Sequence, residues 1–280
     1  MAHPRAWLLC VLLAAHAFPA PASAAVSWLS SVDEALALAR AQKKLVLLEI
    51  ISARNPACAE RERFYEDARL QAALPSFVPV RLDADRESAH AERWDPAGYP
   101  TLIVLQADAK EVARPLGSLA AGALAERLEE ILKDEHALLS LRGRLAKEPD
   151  HVASQLDLAR VLLRRNNAEE SQPLVEKLSH APDPAVRDAM PSLLLSLAMA
   201  LGKGGPTPQG REHFERITRE FPDSREAEQA HFLLGMLYFM QGDRAASARS
   251  LEKVLKTSHD EYLRERAERA LRRVKPAKQE

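Results

Sequence analysis

The spacing of apolar positions changes once along this chain, and the change divides it. Before about residue 133, short apolar runs stand between helical stretches; from about Glu135 the spacing is helical throughout. Ser31-Val32-Asp33-Glu34, a serine followed three residues later by glutamate, predicts a helix start. That helix carries Leu36, Leu38 and Ala39 and ends near Lys43-Lys44. Leu45 to Ile51 is apolar except for Glu49, the pattern of a central strand buried on both faces. Asn55 is a strong N-cap and Pro56 suits the first helical position, so a helix follows, with Phe64, Leu70, Ala73 and Leu74 as its buried face. Phe77 to Asp83 reads as a second strand, Ser88 to Trp94 as a short helix, and Leu102 to Leu105 as a third strand fed by the turn at Gly98. A hairpin turn at 107–110, a strand from Glu111 to Leu116 and a helix from about Leu119 to Leu132 complete this part.

In the second part the punctuation repeats, at Pro149-Asp150, Pro182-Asp183 and Pro222-Asp223. A recurring beat of this kind predicts stacked helical hairpins. One unit carries Leu158-Ala159, Leu162, Ser171 and Val175. A second carries Leu197-Ala198, Leu201, Phe214 and Ile217, and a third carries Leu234-Gly235, Tyr238, Ser247, Leu251 and Val254. The second unit has an enlarged turn, Gly202 to Gly210, expected to be a loop. A last helix, about Glu261 to Val274, places Leu263, Ala267, Ala270, Leu271 and Val274 on one face and charges elsewhere, as a solvating cap should.

Composition narrows the class. The chain has 280 residues, 46% hydrophobic and 28% charged, with a formal net charge of −1. Two ordinary domains fit that length, and no global field draws the chain to nucleic acid. Arg5, the apolar run 6–15, Pro19, Pro21 and Ala22-Ser23-Ala24 read as an export signal cleaved after Ala24, with an uncleaved anchor as the alternative. A lipid anchor does not fit, since Leu9 precedes Cys10. Beyond the signal no run is long enough to span a membrane. The expected division is a signal over 1–24, an α/β domain over 25–135 and an all-α repeat domain over 136–280. Cleavage would remove Cys10 and leave Cys58 as the one thiol, so no intramolecular disulfide could form.

The stretch Asn55-Pro56-Ala57-Cys58, at the exit of an apolar strand, resembles a Cys-x-x-Cys motif whose first cysteine is asparagine. Gly98-Tyr99-Pro100-Thr101 follows, with Pro100 42 residues after Cys58 and 45 after Asn55. Together with the element order, these residues resemble the thioredoxin fold over roughly residues 26–133, closest to exported thioredoxin-like proteins. The resemblance implies that Pro100 is a cis-proline facing the site, that Tyr99 precedes it, that Glu49 is the buried acid that moves protons, and that Cys58 is the resolving cysteine. Two positions depart from the family: Arg54 stands for its usual tryptophan and Asn55 for its attacking thiol.

Disulfide exchange begins with thiolate attack. With Cys10 removed, the mature chain has one cysteine and cannot cycle alone between dithiol and disulfide. Cys58 then has two main readings, a reactive monothiol helped by a helix start and by Arg54 and Arg61, or a small packed hydrophobe; intermolecular pairing is the third. Glu49 has two as well, the buried acid or an acid at an edge bonded to a lysine. No metal-ligand spacing, cofactor motif or phosphate-binding loop is present.

The repeats resemble tetratricopeptide (TPR) repeats, best in the third unit, although units start 37 to 39 residues apart against a usual period of roughly 34. Serine stands at 171 and 247 where the family has alanine. The resemblance implies a concave face made by first helices, formed in the third unit by Phe232, Met236, Phe239 and Met240, with Arg160 and Arg164 comparably placed in the first. This stripe either binds a peptide or packs on the cap helix or the neighbouring repeat. The functional expectation is an exported, redox-degenerate protein for protein–protein contact or chaperone-like binding in the cell envelope, periplasmic or secreted, with protein or peptide partners at the TPR-like groove and the thioredoxin-like cleft, and no cofactor. The alternative is a monothiol oxidoreductase or redox sensor acting through Cys58.

Overall fold

The computed structural model describes residues 26–114, 119–202 and 205–275. The expected export signal lies outside them. The chain divides into two compact units between Glu129 and Glu130.

In the first unit, α1 (Val32–Gln42) starts where Ser31 accepts a hydrogen bond from the Glu34 N–H at 3.3 Å and stops where Lys43 turns into the left-handed region at φ 55°. Four strands, β1 (Leu45–Ile51), β2 (Phe77–Asp83), β3 (Thr101–Leu105) and β4 (Glu111–Ala113), form one sheet in the order β2-β1-β3-β4. β1 pairs in parallel with β2, from Leu45 opposite Phe77 to Ile51 opposite Asp83, and antiparallel with β3. It is central and buried along nearly its whole length, as its apolar run requires. Val46, Leu48 and Ile50 join Val78, Val80, Leu82, Ile103 and Leu105 in a core that also takes Ala35 and Ala39 of α1. Glu49 belongs to the opposite set of alternate positions.

The helix after β1 is not continuous as expected. α2 (Pro56–Arg61) passes into a 3₁₀ turn (Glu62–Glu66), and α3 (Ala68–Ala73) starts afresh. Asp67 causes the break. Its backbone is extended, and its carboxylate accepts from the N–H groups of Arg69 and Leu70, capping α3. Leu70, Ala73 and Leu74 are buried as expected, but Tyr65 rather than Phe64 takes the deep position. A short helix, α4 (Ser88–Glu92), precedes β3. α5 (Ala121–Leu145) is much longer than the expected 119–132. No glycine or proline lies between Gly122 and Gly143, so nothing local ends it.

The second unit contains the later part of α5 and seven further helices: α6 (Val152–Arg164), α7 (Ala168–Ser179), α8 (Pro184–Leu201), α9 (Pro208–Glu220), α10 (Arg225–Met240), α11 (Arg244–Thr257) and α12 (Glu261–Val274). Side chains at His151, Asn167, Asp183, Thr207, Ser224, Asp243 and Asp260 cap the seven. Ala159, Ala198, Phe214 and Ile217 are fully buried in one core. Gly235 needs its missing side chain, because a Cβ there would come 2.7 Å from the Leu251 side chain. The serine at 247 is buried and earns its place by donating from Oγ to the Gly235 carbonyl at 2.7 Å. The enlarged turn is shorter than expected. Gly210 lies inside α9, where a Cβ would come 2.6 Å from the Ala198 carbonyl oxygen, so this glycine serves helix packing rather than a loop.

Candidate functional site

The exit of β1 is held in place by hydrogen bonds at nearly every residue. Asn55 acts at both ends of its amide. Its Oδ1 accepts from the Ala57 N–H at 3.0 Å and caps α2, while its Nδ2 donates to the carbonyl of Tyr99 at 2.8 Å. The Tyr99-Pro100 bond is cis. Pro56 fills the first turn of α2, and Ala57 supplies the N–H that Asn55 caps. Asp85, just beyond β2, gathers the preceding residues: its carboxylate accepts from Ser52 Oγ at 3.0 Å and from Arg54 at 2.6 Å. The Arg54 guanidinium holds the Asp85 carboxyl below its ordinary range, and Asp85 in turn raises Arg54. Arg54 itself is 85% exposed. Cys58 lies in the first turn of α2, 7% exposed, and the Ser52 N–H points at its sulfur at 3.5 Å.

Glu49 is 1% exposed and lies in a central strand, not at an edge, and its partners are arginines, not a lysine. It stands opposite Arg81 in the β1–β2 register. Arg81 donates to Oε2 from Nη2 at 2.6 Å and from Nε at 2.8 Å. Tyr65 donates its hydroxyl to Oε1, and the buried Arg61 stands 3.4 Å from the same oxygen. Burial, then the Glu49 charge, pushes the Tyr65 hydroxyl well above its usual pKa, so it remains a donor. Burial works against the Arg81 charge, but Glu49, Glu62 and Tyr65 together leave its pKa raised. Arg81 also pairs with Glu62 and lies 4.4 Å over the ring of Trp28, which meets Tyr65 edge-on.

Residues 27–107 match a family described as thioredoxin-like, and residues 192–224 and 229–258 match a tetratricopeptide-repeat family. The chain joins a thioredoxin-like part to TPR repeats. The solution structure of a thioredoxin from Thermus thermophilus is 25% identical, covering 39% of this chain and 88% of that one, with a TM-score of 0.35. No curated protein matches.

The two matched repeat spans contain the second and third units read from the sequence; the first unit, α6 and α7, falls outside them. The expected groove residues do not share one environment. Phe232 is buried at 5%, and Met236 and Phe239 pack against the same cluster, which includes Leu251, Leu263 and Ala267 of α11 and α12. Most of this stripe therefore packs on the end of the stack, the second of the two expectations. Met240 alone of the four is largely open, at 60%. Arg164 is tied to Asp134 at 2.6 Å and Arg160 to Asp157 at 3.3 Å.

Several contributors were not singled out in the sequence as site residues: Ser52, Tyr65, Arg81 and Asp85. For Arg81 a signal existed. β1 and β2 each carry one charge inside an apolar run, and pairing the runs sets Glu49 beside Arg81. Nothing local marks Asp85 as the partner of Arg54.

Proposed function

We propose that this protein is an exported protein-interaction scaffold of the cell envelope, whose thioredoxin-like unit keeps its fold without dithiol exchange chemistry. TPR repeats generally mediate protein–protein interaction. The observation that carries the reading is Asn55. At the position of the attacking thiol, its side chain instead links the start of α2 to the carbonyl before Pro100. Once cleavage removes Cys10, the one thiol left, at residue 58 and mostly buried, cannot close an internal bridge. The export assignment rests on the N-terminal sequence alone.

A second reading, a monothiol oxidoreductase or redox sensor, is favoured by the Ser52 N–H aimed at the Cys58 sulfur. One experiment separates the two. Alkylation of Cys58 is followed against pH in the folded protein and in denaturant. The scaffold reading expects reaction only after unfolding. Fast alkylation of the folded protein at neutral pH would transfer the case to the monothiol reading.

A further inference from the structure

We propose that the outer face of α12 docks an acidic polypeptide segment, with Arg266 as its anchor; this deepens the scaffold reading and rests on it. Tyr262, Arg266, Arg269 and Arg273 recur at intervals of four, three and four residues, so they share one face of the helix over about 16 Å. All four are exposed, Tyr262 at 65%. Among the described residues, no carboxylate lies within ion-pair distance of the three arginines. The reason for Arg266 is visible in the sequence. Its helical neighbours at three and four positions are Tyr262, Leu263, Arg269 and Ala270, none of them acidic. Two acids of the adjoining elements are engaged elsewhere: Glu228 accepts from Ser258 at 2.6 Å, and Asp260 faces Arg225.

Arg266 is nonetheless held in position. Its guanidinium lies 4.6 Å from the centre of the Phe232 ring and 5.6 Å from that of Tyr262. Rings over its faces leave its N–H edges as the groups that can donate, and that edge matches a carboxylate with two parallel hydrogen bonds. Beyond the buried Phe232, α10 ends in the open Met240, 60% exposed, an adaptable apolar side chain. A partner segment with carboxylates beside apolar side chains complements both features. Glu261, Glu265 and Glu268 flank the basic face on the same helix, which disfavours a continuous polyanion such as nucleic acid or an anionic membrane.

The test uses the full chain and a fluorescein-labelled peptide alternating glutamate with leucine, its lysine-for-glutamate counterpart, vesicles of phosphatidylglycerol in phosphatidylcholine, and duplex DNA. The acidic peptide should bind, more weakly as salt rises, and the lysine peptide should not. Arg266→Gln should weaken binding by roughly tenfold. Arg266→Lys, which keeps the charge but not the planar fork, should fall between. Arg273→Gln, at an exposed position away from the rings, should weaken binding less while leaving the melting curve unchanged. Absence of binding, equal binding by the Gln variants, or preferential capture of vesicles or DNA would overturn the proposal. Crosslinking in envelope extract keeps the two readings apart. If the wild type and an Arg266→Gln/Arg269→Gln/Arg273→Gln variant capture the same partners, this surface is refuted and the scaffold stands. If the wild type captures none, the scaffold reading itself fails.

Discussion

The polar cluster at the exit of β1 and the outer face of α12 treat charge in opposite ways. In the first, both Glu49 oxygens are met by Arg81, Tyr65 and Arg61, and Asp85 is enclosed by Ser52 and Arg54. In the second, three arginines stand without a carboxylate among the described residues, one of them oriented by two rings. A group whose partners are all internal contributes to stability and has little capacity left for a ligand. A group held in position but unpaired is available to one. The difference teaches that resemblance to an active site does not by itself mark free polar groups. The thioredoxin-like unit has the recognisable motif, yet the carboxylates of Glu49 and Asp85 are already met by internal partners.

The contrast can be broken most forcefully at Glu49. Glu49→Gln leaves Arg81 and the buried Arg61 facing a neutral amide, and removing one partner of a buried pair costs about 3–5 kcal/mol. Urea denaturation of the thioredoxin-like unit should register that loss, while acidic-peptide binding by the intact repeats stays unchanged. A loss below about 1 kcal/mol would mean that the cluster is solvated rather than closed.

Asn55 gives the next largest effect. Asn55→Ala removes a helix cap and the bond to Tyr99, for about 1–2 kcal/mol. Asn55→Ser keeps a capping oxygen and loses only the donor to Tyr99, so its denaturation midpoint should fall between those of the alanine variant and the wild type. Equal midpoints for the alanine and serine variants would show that the cap contributes nothing.

The smallest effect is a pH dependence in the repeats. Burial lowers the pKa of both His213 and His231 from 6.5; Glu212 opposes this at His213 and Arg216 reinforces it, while Lys253 reinforces it at His231. The unfolded chain therefore binds protons that the folded histidines do not. Stability is at its full value above about pH 6.5 and falls as the pH drops below it. Urea midpoints of the repeat unit at neutral and mildly acidic pH should show the fall, and a His213→Gln/His231→Gln variant should flatten it.

Much of the fold was legible because apolar spacing controls it. The bounds of β1 and β2, the Ser31 and Asn55 caps, and the small residues at 159, 198 and 235 all follow from local chemistry. The break at Asp67 was missed because a good cap was hidden inside an apparently continuous helical pattern. Gly210 was misread because a glycine needed for close helix packing looks the same in sequence as one needed for a turn. The candidate site was legible only in part. Asn55, Cys58 and Pro100 announced themselves by spacing, but the Asp85 contacts join residues more than thirty positions apart. The groove residues misled for a related reason. Helical spacing shows that Phe232, Met236 and Phe239 share a face, but not that the cap helix already covers it.

The two-ended amide of Asn55 also bears on redesign. A cysteine placed there would add a second sulfur but break two bonds on which the local architecture relies. A dithiol built by that one substitution would therefore begin from a weakened scaffold. The asparagine works as a latch: it fills the position a second thiol would need, and the neighbouring loop depends on both ends of its amide.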